Sequence, residues 1–261
     1  MDTHVRYGFM EPSTDNVIVR MRKGQNISGF PIGIIYIDDV YYPMIPGNIV
    51  NGYTFDFPTR LMPVEGLDCP NLFNTTEGVE QKVYEACKKL ETEGVRAISS
   101  ACGFFGNYQS QMSEKLDIPV ALSSLVQLPW IASLLKKSQK IGVLTAQKES
   151  FTDALLDSCG VSDDIKKRLI VKDLGHEKEF SCIIEGRGEF DNAIVKTEVV
   201  SKALEIIEDA PETGAILLEC SDMPPYAYAV QAATGLPVFD FTTLIRWLNN
   251  AVTQRPYIGF I

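Results

Sequence analysis

The chain is poor in histidine and in paired cysteines, and these shortages exclude several kinds of site. Its 261 residues include two histidines, His4 and His176, and neither lies near a cysteine in the sequence. The six cysteines are scattered, and no two of them form a CxxC pair. A zinc site needs clustered thiolate or imidazole ligands, so none is predicted. We expect free thiols and no metal.

Excess positive charge and long apolar runs are also missing. The 34 acidic residues outnumber the 24 basic ones, which gives a formal net charge of −10. This balance argues against a nucleic acid or an anionic membrane surface as partner. No run is long enough to span a membrane, and Met1–Pro12 lacks the basic start and apolar segment of a signal peptide. We therefore expect a cytoplasmic protein that binds neither nucleic acid nor membrane.

Two common enzyme signatures are absent as well. The sequence contains no GxSxG motif, so a serine hydrolase is not predicted. The glycines at 186 and 188 lack the strand–turn–helix context of a dinucleotide-binding loop. The apolar fraction of 45% and the charged fraction of 22% are ordinary for a globular protein.

The sequence does contain a regular alternation of short apolar strands and amphipathic helices. The clearest strands are Ile32–Ile37 and Lys140–Thr145. The clearest helices are Thr76–Glu93 and Asn192–Asp209, whose apolar residues recur at helical spacing. This alternation predicts an α/β fold with mostly parallel sheets.

An internal repeat divides the chain. Cys102 and Cys220 each follow an apolar run that begins with Ala-Ile. Each also lies 17 positions before a proline, Pro119 (119 − 102) or Pro237 (237 − 220). A strand containing Ile-Gly opens each half. Repeats of this kind decide the architecture, and this one predicts two copies of one α/β unit.

We predict two pseudo-symmetric domains with the active site in the cleft between them. Each would carry a mostly parallel sheet flanked by helices. Domain 1 would span residues 31–138 together with the C-terminal helix 242–261, and domain 2 would span residues 139–241. Residues 1–30 are polar and irregular and are predicted to form an N-terminal arm.

Cys102 and Cys220 are the candidate catalytic residues. Each follows the carboxyl end of a strand, which is where ligands bind in parallel α/β sheets. Each also precedes the start of a helix, which favours a thiolate. If the two face each other, one can remove a proton from a carbon acid while the other donates a proton to the opposite face. The alternative is that both are buried structural cysteines at duplicated positions.

The candidate substrate-binding residues follow the same strand ends. Backbone N–H groups after each cysteine, with the Thr145 hydroxyl, would hold a substrate carboxylate. Asp38 or Asp222 would orient a thiol or bind a substrate ammonium, with loop capping as the alternative. Asn51 lies in the long loop 38–58, which we expect to cover the cleft, and it would reach the substrate or support the loop. The full predicted set is Asp38, Asn51, Gly103, Phe104, Thr145, Ser221 and Asp222.

These segments resemble the aspartate/glutamate/hydantoin racemase superfamily. The resemblance is carried by the two cysteine strands, by the second-half pattern IG-x-x-T, and by the run ECSDMPPYA…TGLPVFD. The early segment IDDVYYPMIPGNIVNGYTFDFP resembles a less characterised branch. The resemblance implies a cofactor-independent racemase or epimerase that needs no pyridoxal phosphate. Its acid/base pair would be Cys102 and Cys220, and its substrate would be a small carboxylate, with an amino acid expected.

The sequence also departs from the better-known racemases. The glutamate racemase pattern has Thr-His after the second cysteine, where this chain has Ser221–Asp222. The superfamily includes arylmalonate decarboxylases and maleate isomerases, so a one-cysteine isomerase or decarboxylase of a dicarboxylate is an alternative. A two-lobed binding protein without turnover is another. A homodimer is expected on general grounds.

Overall fold

The fold is described from a computed structural model that covers residue 21, residues 23–255 and residues 257–261. Most of the predicted arm at residues 1–30 therefore lies outside the described residues. Near its described end, Phe30 packs against a buried apolar cluster that contains residues of both halves. Within these ranges, no helix is both long enough and apolar enough to cross a membrane.

The first half contains a four-stranded parallel sheet in the order β2-β1-β3-β4. Its strands are β1 (Ile32–Asp39), β2 (Thr59–Asp68), β3 (Ala97–Ser100) and β4 (Val120–Ala121). The α-helices of this half are α1 (Cys69–Phe73), α2 (Val79–Glu93), α3 (Gln109–Lys115) and α4 (Leu128–Leu134).

The second half repeats the arrangement in the order β6-β5-β7-β8, again parallel throughout. Its strands are β5 (Lys140–Thr145), β6 (Leu169–Asp173), β7 (Thr213–Leu218) and β8 (Val238–Phe239). The helices that follow are α5 (Asp153–Ser158), α6 (Asp163–Lys166), α7 (Cys182–Glu185), α8 (Asn192–Asp209), α9 (Ala227–Thr234) and α10 (Phe241–Val252). The predicted fold of two equivalent α/β units is confirmed.

The strand register shows which positions of the two halves correspond. Ile32 of β1 pairs with Ala97, and Ile141 of β5 pairs with Ala215. Counting forward along β3 and β7 from these pairs makes Cys102 equivalent to Cys220. The residue before each cysteine differs, because the first half has alanine and the second has glutamate.

Helix α10 packs on the first sheet although it follows the second sheet in the chain. Leu244 and Ile245 are buried in one cluster with Ile32 and Ile34. The helix begins after Asp240, whose side chain accepts a hydrogen bond from a backbone N–H of the first turn. The predicted domain boundaries, which assign this helix to domain 1, stay predictions.

A glycine in each central strand lets a long helix pack closely on the sheet. A Cβ added at Gly33 would lie 2.9 Å from a methyl carbon of Leu90 in α2. A Cβ added at Gly142 would lie 2.7 Å from Cγ2 of Ile206 in α8. The Ile-Gly motif of each half is therefore explained by helix packing.

Replacing Gly142 with alanine should lower the free energy of unfolding by about 1–3 kcal/mol, because the new methyl group overpacks the contact with Ile206. Urea denaturation followed by circular dichroism measures the change. Gly52→Ala is the control, since no atom lies within 4 Å of its added Cβ. Equal midpoints for G142A and the unaltered protein would show that α8 does not need this glycine.

Candidate active site

The two cysteine strands end at one cavity between the halves. Its empty volume, including the open mouth, is about 560 Å³. Cys102 and Cys220 both line it. The loop 38–58 also contributes, through residues that include Tyr42 and Asn48. The cavity therefore lies where the sequence places the active site.

Hydrogen bonds between the halves hold the two strand ends together. The Ser221 hydroxyl donates to the carbonyl oxygen of Ala101 at 2.9 Å. From the first half, the Ser124 hydroxyl lies 3.1 Å from the carbonyl oxygen of Leu218 and 3.2 Å from that of Glu219, and it donates to both. All of these groups are buried or nearly so, and the bonds fix the position of one cysteine relative to the other.

Both catalytic candidates are buried thiols. Cys102 is 8% exposed and Cys220 is 5% exposed. Burial raises the pKa of both thiols well above the ordinary value, and nearby carboxylates raise it further. The backbone N–H groups of Phe104 and Asp222 act in the opposite direction. A thiolate in this cavity therefore needs a proton acceptor close by or a cation brought by the ligand.

Asp222 is a proton acceptor in contact with Cys220. Its Oδ2 lies 3.5 Å from the Cys220 Sγ and accepts from the Tyr42 hydroxyl at 3.3 Å. The Ser221 hydroxyl is 3.5 Å from the same oxygen, and the Asn48 amide donates to Oδ1. Burial raises the pKa of Asp222 to about 6, and these four donors limit the rise. At neutral pH the carboxyl group is mostly ionised.

Glu219 is a second buried carboxyl group, 1% exposed. Its Oε2 accepts from the Thr145 hydroxyl at 3.0 Å and from the backbone N–H of Ala146 at 3.5 Å. Its Oε1 has no hydrogen-bond partner among the described residues. A Cβ added at Gly103 would lie 1.6 Å from Oε1, so only glycine fits there. Burial raises the pKa of Glu219 to about 7.

The structure brings most of the predicted substrate-binding residues to the cavity. Gly103, Phe104, Ser221 and Asp222 line it beside the two cysteines. Thr145 does not line it, because its hydroxyl lies behind Glu219 and donates to that carboxylate.

Asp38 and Asn51 lie elsewhere. Strand β1 continues to Asp39, so Asp38 is an exposed strand residue that accepts from the backbone N–H of Gly66 at 3.0 Å. Asn51 stabilises its own loop, donating to the carbonyl oxygen of Met44 at 2.7 Å and accepting from the N–H of Tyr53 at 2.9 Å. Neither side chain lines the cavity.

Several lining residues were not predicted. Glu219 was detectable, because it is an acidic residue where the repeat has Ala101 in the first half. Tyr42 and Asn48 were not, since no periodicity shows which side chains of an irregular loop turn inward. Cys69 and Phe73, from α1, were also missed; helices this short leave little periodic signal.

A separate cluster offers ligand atoms outside this cavity. Glu149, Asp173 and His176 place three potential ligand atoms within 4.8 Å of one another. Glu149 and His176 are exposed, and none of the three lines the cysteine cavity. Exposed acidic groups are common without an ion, so no role is assigned to the cluster.

The sequence is similar to curated dimethylsulfoniopropionate lyases. It is 32% identical to a dimethylsulfoniopropionate lyase of Durusdinium sp. clade D over 244 residues, 91% of this chain and 80% of the relative. It is 32% identical to dimethylsulfoniopropionate lyase 7 of Emiliania huxleyi (strain CCMP1516) over 238 residues, 87% of this chain and 69% of the relative. No family model matches the chain.

Solved structures of the racemase superfamily share the fold. An arylmalonate decarboxylase matches with a TM-score of 0.53 at 16% identity, covering 86% of this chain and 93% of its own. An allantoin racemase of Pseudomonas fluorescens matches with a TM-score of 0.57 at 14% identity, covering 88% and 99%. At such identities the likeness shows the fold alone, and that fold is the one the sequence resemblance implied.

The curated relatives overturn the predicted activity. The sequence predicted an isomerase that racemises an amino acid, whereas the relatives at 32% identity are lyases. One fold serves several reactions, so a resemblance to racemases does not fix the activity. The alternative of a one-cysteine decarboxylase is closer, although the reaction is not the same. The chain belongs to the dimethylsulfoniopropionate lyase family.

Proposed function

We propose that this protein is a lyase that eliminates dimethyl sulfide from dimethylsulfoniopropionate. This substrate carries a carboxylate at one end and a dimethylsulfonium group at the other, with two carbons between them. Elimination removes a proton from the carbon beside the carboxylate and breaks the C–S bond at the next carbon, leaving acrylate. The observation that carries the proposal is the contact between the Cys220 thiol and Asp222 in a cavity with aromatic walls.

Cys220 is the base in this scheme. Asp222 accepts the thiol proton across the 3.5 Å contact, and the thiolate then removes the substrate's α-proton. The electron pair of the C–H bond becomes the second bond of the C=C double bond in acrylate. The electron pair of the C–S bond leaves with dimethyl sulfide. Because that leaving group departs neutral, it needs no proton. One base is therefore sufficient, whereas racemisation also needs an acid on the opposite face.

The sulfonium group suits the walls of the cavity. Tyr36, Tyr42, Phe73 and Phe104 all line it, and aromatic rings attract cations. Asp222 adds a negative charge. A cation bound here would also lower the pKa of the Cys220 thiol, offsetting the effects of burial and of the carboxylates. The substrate would thus help to form the base that attacks it.

Cys102 would have a different role from Cys220. No carboxylate accepts a hydrogen bond from its thiol among the described contacts, and the N–H group of Phe104 favours its charged form only weakly against burial. We assign it to the opposite wall, where it positions the substrate carbons for attack by Cys220.

Replacing Cys220 with alanine should lower kcat for dimethyl sulfide release by about 10²–10⁴-fold, because the base is removed. Cys102→Ala should raise KM more than it lowers kcat. Headspace gas chromatography of dimethyl sulfide measures both. Cys87→Ala is the control, because Cys87 is buried in α2 and does not line the cavity.

Two results would contradict these assignments. Loss of kcat in C102A with more than a tenth retained in C220A would place the base on the other cysteine. Failure of the folded, reduced protein to release any dimethyl sulfide would refute the lyase proposal itself.

Activity should rise with pH through about 6, where Asp222 loses its proton. Asp222 acts in its ionised form, so kcat/KM should be low below its pKa and should rise as pH passes through that value. Asp222→Asn should remove this rise and lower kcat/KM by about 10²-fold. Profiles from pH 5 to 8 measure the effect, with Asp164→Asn as the control at an exposed carboxylate. If the profile of D222N keeps the rise near pH 6, the rise is due to another titrating group.

A further inference from the structure

The described residues that line the cavity supply no cation to pair with a carboxylate ligand, since none of them is lysine, arginine or histidine. Two carboxyl groups, Glu219 and Asp222, line it instead. If both were ionised, they would repel a substrate carboxylate, because charges interact strongly in a buried site. The substrate's negative end therefore needs a neutral hydrogen-bond donor.

The two oxygens of Glu219 have different surroundings. Oε2 accepts two hydrogen bonds, from Thr145 and Ala146, at the back of the site. Oε1 is fully buried, has no partner among the described residues, and lies against Gly103, which lines the cavity. A buried oxygen without a partner is costly when charged, and a protonated carboxyl group carries one O–H donor. Oε1 is thus the oxygen that would carry the proton of the neutral acid and donate a hydrogen bond.

The fold itself does not require a carboxyl group at this position. The equivalent residue of the first half is Ala101. Strand β3, which precedes this alanine, pairs with β1 as β7, which precedes Glu219, pairs with β5. The space is made by Gly103, whose missing side chain leaves the volume that Oε1 occupies. The fold therefore does not require the pairing of Glu219 with Gly103, and this pairing is a feature of the site.

We propose that Glu219 binds the substrate's carboxylate as a neutral acid, donating a hydrogen bond from Oε1 to a carboxylate oxygen. Asp222 is ionised at the sulfonium end when the substrate binds, before it accepts the proton of Cys220. This inference rests on the proposed lyase function for the identity of the substrate, but its chemistry applies to any small carboxylate. As the α-proton leaves, negative charge grows on that carboxylate, so the same donor stabilises the transition state.

The surroundings of Glu219 favour the protonated form. Burial is the largest influence and raises the pKa of Glu219 to about 7, with the charges of Asp173 and Asp222 acting in the same direction. The hydrogen bonds from Thr145 and Ala146 oppose it. The charge of Glu219 in turn raises the pKa of the Cys102 and Cys220 thiols. A bound anion would raise the pKa of Glu219 further.

Calorimetric titration with propionate tests the inference, because propionate has the carboxylate but no leaving group. At pH 8, repeated in buffers of different ionisation enthalpy, binding should take up close to one proton for each ligand. At pH 6, where Glu219 is already protonated, the uptake should be small. Affinity should fall about tenfold for each pH unit above 7.

Two substitutions separate donation from other roles of this side chain. Glu219→Gln supplies an N–H donor that does not titrate, so it should bind propionate without proton uptake and with an affinity independent of pH. Glu219→Met has similar length and no donor, so it should bind more weakly at every pH. Asp222→Asn is the matched control and should keep the proton uptake.

Several results would overturn the inference. These are binding without proton uptake at pH 8, uptake that persists in E219Q, uptake that disappears in D222N instead, and no detectable propionate binding at pH 6. Because propionate is not turned over, the lyase proposal is judged separately. Proton-linked binding in a protein that releases no dimethyl sulfide would keep this inference and remove only the named substrate.

Discussion

The site depends on the hydrogen bond from Ser221 to the carbonyl oxygen of Ala101, which joins the ends of β3 and β7. Each sheet alone presents one cysteine at a strand end. The bond across the halves, with those from Ser124, brings the second cysteine into the same cavity. Buried bonds of this kind specify one arrangement, because breaking them leaves polar groups without partners. The two-domain architecture therefore produces an active site only where the strand ends are joined.

The duplicated architecture is symmetric, but the chemistry around the cysteines is not. Cys102 lies between Ala101 and Gly103, whereas Cys220 lies between Glu219 and Ser221, with Asp222 next. Racemisation uses two equivalent proton-transfer groups on opposite faces, while elimination needs one base and a neutral leaving group. A pair of carboxyl groups on one side only is consistent with the second reaction. The proposed lyase would thus begin with the proton abstraction that racemases use and then depart from it.

The fold was predictable because it follows from patterns that the chain repeats. The Ile-Gly strands, the amphipathic helices and the equal spacing from each cysteine to a proline all reflect packing that both halves share. The environment of the cysteines was less predictable, since it depends on the side-chain directions of Tyr42 and Asn48 in an irregular loop. Asp38 and Asn51 were named for their chemistry alone, and local hydrogen bonds hold them away from the cavity. The reaction was not predictable, because one fold serves several reactions.

Burying two carboxyl groups in one cavity also affects the stability of the folded protein. The pKa of Glu219 in the fold is about 7 and that of Asp222 about 6, both above the ordinary values near 4 that an unfolded chain would have. For groups raised in this way, the contribution to stability is complete below the unfolded values and is lost as pH rises through the folded ones. These two carboxyl groups therefore weaken the protein at neutral pH, and a cationic ligand that favours the ionised aspartate restores part of that loss.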